Sequence, residues 1–103
     1  MERNIKIVII EDDEIIRDGY SLLIGQVEGY SVVRSYSSFD EAAKTITDDS
    51  PDVILLDIEL PGTNGIAAIP KLKKALPNAH ILILTVYESE KQIFEALANG
   101  ASG

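Results

Sequence analysis

Four short apolar runs, at 5–10, 31–36, 53–56 and 81–85, set the strongest limit on how this chain can fold. Three of them are nearly unbroken Ile, Leu and Val, which suits strands covered on both faces rather than strands with one face in water. Stretches with helical signals lie between the runs. Ile15, Ile16, Gly19, Leu22 and Leu23 precede a turn at Gly29, and Ser38 with Glu41 three residues later reads as a capping box. Residues 64–76 read as a third helix, and 88–99 as a fourth with Ile93, Phe94 and Leu97 on its inner face and Gly100 as its stop. Pro70 removes a backbone hydrogen bond inside the third helix and predicts a kink or a late start there. Parallel strands need crossover connections, which are nearly always right-handed. The expected architecture is therefore α/β, a doubly wound parallel sheet with helices on both faces. Ligands of such sheets sit outside the carboxyl ends of the strands, where strand order reverses. That rule directs attention to residues 11–14, 57–62 and 85–88.

A chain of 103 residues has room for one core, and 46% hydrophobic with 25% charged residues is the composition of a folded module. Nine basic residues against seventeen acidic ones leave a net charge of -8, which repels phosphate backbones and anionic membranes. Direct nucleic-acid binding is excluded on that ground. There is no cysteine, hence no disulfide or thiolate chemistry. The opening MERNIKIVII lacks the features of a signal peptide, and no apolar run approaches the ~18 residues of a membrane span, so a cytoplasmic location is expected.

Acids stand at two of the strand ends. The run 7–10 leads into Glu11, Asp12, Asp13 and Glu14, and the run 53–56 delivers Asp57 directly. If these strands are neighbours, about 4.8 Å apart, Glu11, Asp12 and Asp57 crowd into one pocket where unit charges repel by several kcal/mol. No lysine or arginine lies within the three loop stretches up to Leu60, so a hard, oxygen-liganded cation is the natural partner, Mg²⁺ above all. Asp13 and Glu14 read as helix caps meeting the positive end of the dipole. His80, ahead of an apolar strand, reads as a surface or strand-edge residue.

Residues 10–13 (IEDD), 55–62 (LLDIELPG), Asn64-Gly65, 82–85 (LILT) and 96–101 (ALANGA) resemble the response regulator receiver domain family of the CheY-like superfamily, in order, at the family's spacing and over the whole chain. The resemblance implies a flavodoxin-like fold with strand order 2-1-3-4-5. It also implies phosphotransfer from the phosphohistidine of a sensor histidine kinase to Asp57. Carried over residue by residue, Asp57 is the phosphoacceptor and a metal ligand, Asp12 a direct ligand of Mg²⁺ (or Mn²⁺), Glu11 a ligand through water, and Glu59 a ligand by its backbone carbonyl. Thr85 matches the family's switch residue, whose hydroxyl donates to a phosphoryl oxygen. A receiver is a signalling phosphoacceptor that assists its own phosphorylation and dephosphorylation, not an enzyme acting on a separate substrate. Residues 66–70 and 96–103 are most similar to receivers of LuxR-type (NarL/FixJ-like) regulators, which implies a helix-turn-helix output domain and transcription regulation.

The family's fold closes with a fifth strand and helix, and places an aromatic switch residue and a phosphoryl-gripping lysine just after the stretch 100–103. None of Lys6, Lys44, Lys71, Lys73, Lys74 and Lys91 falls at that position, so 1–103 reads as a receiver truncated at its C-terminal side with an incomplete phosphoryl clamp. The expected consequences are an open apolar edge at 81–84, a bare face beside the first helix, and either pairing with a second copy or a stability markedly below that of the complete domain. Two alternatives stand beside this reading. One is a receiver-like interaction module that is never phosphorylated. The other is a phosphohydrolase of the haloacid dehalogenase type, which would need a second aspartate where Glu59 stands.

Overall fold

The computed structural model describes residues 4–58, 65–84 and 90–103. Strands and helices alternate as the apolar runs require: β1 (Ile5–Ile10), α1 (Glu14–Gly25), β2 (Tyr30–Tyr36), α2 (Phe39–Asp49), β3 (Val53–Asp57), α3 (Gly65–Ala75), β4 (His80–Leu84) and α4 (Glu90–Ala98). All pairings are parallel and the sheet order is β2-β1-β3-β4, so β1 and β3 are neighbours with Ile10 beside Leu56. Among the described residues, no helix is long and apolar enough to cross a membrane.

One face of the sheet carries the main core. Val8, Ile10, Ile54, Leu56 and Ile81 pack there with Phe39, Ala42 and Ile46 of α2 and Ile66, Ala68, Ile69 and Leu72 of α3. The opposite face is thinly covered. α1 has no buried residue, and Ile15, Leu22 and Leu23 are more than 60% exposed. Beside α1, Ile5, Ile7, Ile24, Tyr30, Val53, Leu55 and Leu82 line an open apolar groove of about 230 Å³.

Helix ends follow local chemistry. Asp13 caps α1, its carboxylate accepting from the N–H groups of Ile15 (2.9 Å) and Ile16 (3.1 Å), as read from the sequence. Ser38 caps α2 by accepting from Glu41 N at 3.1 Å, but the reciprocal half of the capping box is absent, because Glu41 Oε2 instead accepts from the Ser37 hydroxyl at 2.9 Å. α3 begins at Gly65 and runs through Pro70, so of the kink or late start expected from that proline the late start does not occur.

Two expectations are corrected at the C-terminal side. Phe94 and Leu97 are 70% and 43% exposed, whereas Ala96 is fully buried. The Ile93 side chain lies outside the described residues. The cause is the tight return after α4: Gly100, at φ 116°, closes the helix with Gly100 N donating to Leu97 O and Ala101 N to Ala96 O, which turns the Ala96 side toward the core and buries Ala101 behind it. The same turn lays the chain along β4. Ser102 N donates to Ile81 O and Ile83 N donates to Gly103 O, each at 2.7 Å, so the edge expected to be open is paired there. His80 is exposed at the strand edge as expected, with Nδ1 3.3 Å from the Ser102 hydroxyl.

Gly65 sets how closely α3 approaches the end of β3. A Cβ at this position would lie 2.3 Å from Ile58 Cα and 2.7 Å from Asp57 O, contacts that only a backbone shift relieves. Gly65→Ala is expected to destabilise the domain by about 2–3 kcal/mol, measured by urea unfolding, despite alanine's better helix propensity. A variant as stable as the parent would show that α3 slides away from β3 at little cost.

Candidate metal centre

The parallel register of β1 and β3 sets Ile10 beside Leu56 and delivers the residues that follow each of them to one point. Glu11 and Asp12 leave β1 there, and Asp57 is the last residue of β3. Each of the three offers a carboxylate oxygen, and these oxygens lie within 4.8 Å of one another. The convergence expected from the sequence is therefore present. Thr85 and Glu59, the other two expected site residues, lie outside the described residues.

Glu11 is buried, at 6% exposure. Its amide donates to Tyr36 O at 3.0 Å, and one carboxylate oxygen accepts from Asp13 N at 3.1 Å. Burial pushes its pKa from 4.5 up to about 7. The Asp13 N–H opposes that rise, while the charge of Asp57, a hydrogen bond shared with it, and the charge of Asp12 add to it. A proton held between two carboxylates is what such a cluster adopts when no cation offsets the repulsion. An all-oxygen donor set of this charge fits a hard divalent cation. Octahedral Mg²⁺ at about 2.1 Å sets its ligand oxygens about 3–4 Å apart, so a cluster spanning 4.8 Å suits an ion that reaches one carboxylate through water.

Two further groups shape the site and were missed from the sequence. Arg17, one turn into α1, reaches back so that Nη1 donates to Glu11 O at 2.9 Å and approaches Asp12 O at 3.5 Å. A search confined to the loops overlooks a long side chain four residues beyond the cap; helical periodicity was the available signal. Tyr36, whose carbonyl receives Glu11 N, is fixed by its hydroxyl, which bonds Asp49 and lies 2.7 Å from the Thr45 hydroxyl. Asp49 also pairs with Arg34 at 3.1 Å. Nothing in the local sequence marks that network, which joins β2 to the far end of α2.

The oxygen regulatory protein NreC of Staphylococcus haemolyticus is 36% identical over 99 residues, covering 95% of this chain but 46% of that protein, so the chain spans about half the length of such relatives. A LuxR-family two-component response regulator from Aurantimonas superposes with a TM-score of 0.91 at 33% identity, over 97% of this chain and 71% of that one. A response regulator protein of Burkholderia pseudomallei, solved with a phosphorylated aspartic acid, a calcium ion and citrate, gives 0.87 at 28% identity, over 95% of this chain and 56% of that one. The family match itself runs from residue 7 to residue 103, through both acid-bearing strand ends and the turn that follows α4, and by it this chain belongs to the response regulator receiver domain family.

Proposed function

We propose that residues 1–103 act as the phosphoacceptor domain of a two-component system, with Asp57 receiving a phosphoryl group from the phosphohistidine of a sensor kinase. The observation that carries this reading is the cluster of Glu11, Asp12 and Asp57 oxygens at the carboxyl ends of β1 and β3. A carboxylate oxygen of Asp57 attacks phosphorus, the bond to the kinase imidazole breaks, and the acyl phosphate remains on the domain. Attack by an anion on an anionic phosphoryl group requires that the charge on the transferring oxygens be offset. Mg²⁺ or Mn²⁺ supplies that offset when bound. Asp12 and Asp57 would hold the ion directly, Glu11 would do so through water, and Glu59 would offer its backbone carbonyl. The Thr85 hydroxyl donates to a phosphoryl oxygen and so reports the phosphorylated state to the surrounding surface.

The likeness to LuxR-family regulators supports a cytoplasmic response regulator in which this domain controls a helix-turn-helix output domain and transcription. The receiver carries -8 formal charge, so DNA contact belongs to that output domain rather than to this one. Association of two receivers is the natural way for phosphorylation to act on paired DNA half-sites. Membership of the receiver family leaves the haloacid dehalogenase alternative without support.

Mg²⁺ titrated into the chain is expected to bind in the micromolar to millimolar range, as calorimetry would measure, for a site whose ion keeps several waters. Asp12→Asn should weaken binding at least tenfold; an unaltered affinity would remove Asp12 from the ligand set.

The Glu11 proton gives a pH signature. The folded metal-free chain keeps this proton up to about pH 7, whereas the unfolded chain loses it near 4.5. Stability from this group is thus fully present below 4.5 and is lost as pH rises toward 7, by on the order of 2 kcal/mol. Denaturant unfolding from pH 4.5 to 8 should show that decline, and Glu11→Gln should flatten it. Mg²⁺ affinity should rise over the same interval, because the ion competes with the proton.

With acetyl phosphate and Mg²⁺, a longer chain that includes this domain is expected to gain a single phosphoryl group on Asp57, seen by mass spectrometry. Asp57→Asn should abolish it. Labelling elsewhere, or none in a longer chain that includes this domain, would favour the interaction module that is never phosphorylated.

A further inference from the structure

Phosphotransfer at Asp57 leaves one contact of the site unused, the reach of Arg17 back to the turn between β1 and α1. Arg17 is the fourth residue of α1 and is half-buried, and a cation in the first turn of a helix faces the positive end of the dipole. Its position there is therefore unfavourable unless something compensates. Its guanidinium donates to Glu11 O at 2.9 Å and approaches Asp12 O at 3.5 Å. The rest of the turn is equally occupied: Glu11 N is held by Tyr36 O, Asp13 N by the Glu11 carboxylate, and the Asp13 carboxylate by the first amides of α1. Arginine suits this place because one rigid, planar group presents several N–H donors with little freedom left to lose.

We propose that Arg17 is a positioning residue of the metal centre, clamping the carbonyls of Glu11 and Asp12 so that both carboxylates project toward Asp57. The proposal rests on the metal-binding reading above. It differs in sign from a purely electrostatic role. A positive charge acting only through space repels a divalent cation, so its removal would tighten binding. A clamp gives the opposite, because without it the two carboxylates must be ordered at the expense of binding.

Mn²⁺ titration, following the free ion by electron paramagnetic resonance, separates these cases. Arg17→Ala is expected to raise the Mn²⁺ Kd about tenfold, the size of effect usual for groups that orient metal ligands. In the metal-free variant, amide hydrogen exchange at Glu11 and Asp13 should accelerate while that of β3 and β4 is retained. Arg17→Met removes the charge and every donor while keeping most of the stem, and it decides the question on the same criterion should the alanine variant not fold. Weaker binding supports the clamp, and equal or tighter binding overturns it. A parent chain that binds no Mn²⁺ would overturn the metal reading itself and the clamp with it.

Discussion

Three carboxylates held within 4.8 Å of one another repel by about 3 kcal/mol for each ionised pair at an effective dielectric near 20, and the surrounding structure is arranged to tolerate this. The convergence is imposed by backbone hydrogen bonds. Parallel pairing of β1 with β3 fixes Ile10 beside Leu56, after which the acids have nowhere else to go. The pairing is in turn held by strands whose side chains Val8, Ile10, Ile54 and Leu56 are fully or almost fully buried. Hydrophobic burial of the sheet thus sustains an electrostatic arrangement that is unfavourable by itself. Such local cost is the usual mark of a functional site rather than a structural one.

The elements around the cluster share the task of holding its backbone. Tyr36 O fixes Glu11 N, Arg17 fixes Glu11 O, and Asp13 turns the chain into α1. On the β3 side Gly65 N donates to Ile58 O at 3.1 Å, and the missing side chain of Gly65 lets α3 begin directly against the strand end. The core on the α2–α3 face is dense, whereas the α1 face keeps an apolar groove and exposed leucines. The site lies at the rim between these two halves.

Much of this was legible in the chain. The four apolar runs marked strands to within a residue or so, because unbroken β-branched and leucine-rich segments of that length suit little else. Asp13 and Ser38 announced their caps, and Gly100 its helix end, since these depend on chemistry within a few residues. Phe94 and Leu97 were misread. Periodicity defines an apolar stripe on a nine-residue helix, but which part of it faces inward was settled by the return of the chain through Gly100 to β4.

The sequence by itself determined the alternation of strand and helix, the placing of Glu11, Asp12 and Asp57 at strand ends, and the resemblance to receivers, because these are properties of residue type and spacing. Tertiary structure alone decided what joins residues distant in the chain. It set the Tyr36 network with Thr45 and Asp49, the pairing of residues 102–103 with β4, and the rise of the Glu11 pKa to about 7. Each depends on separations and burial that appear only after the chain has packed, and no local pattern encodes them. Arg17 lies between the two. Its type and position were visible, but its use on the backbone of the turn, rather than on a carboxylate, is a matter of how the folded turn presents its carbonyls.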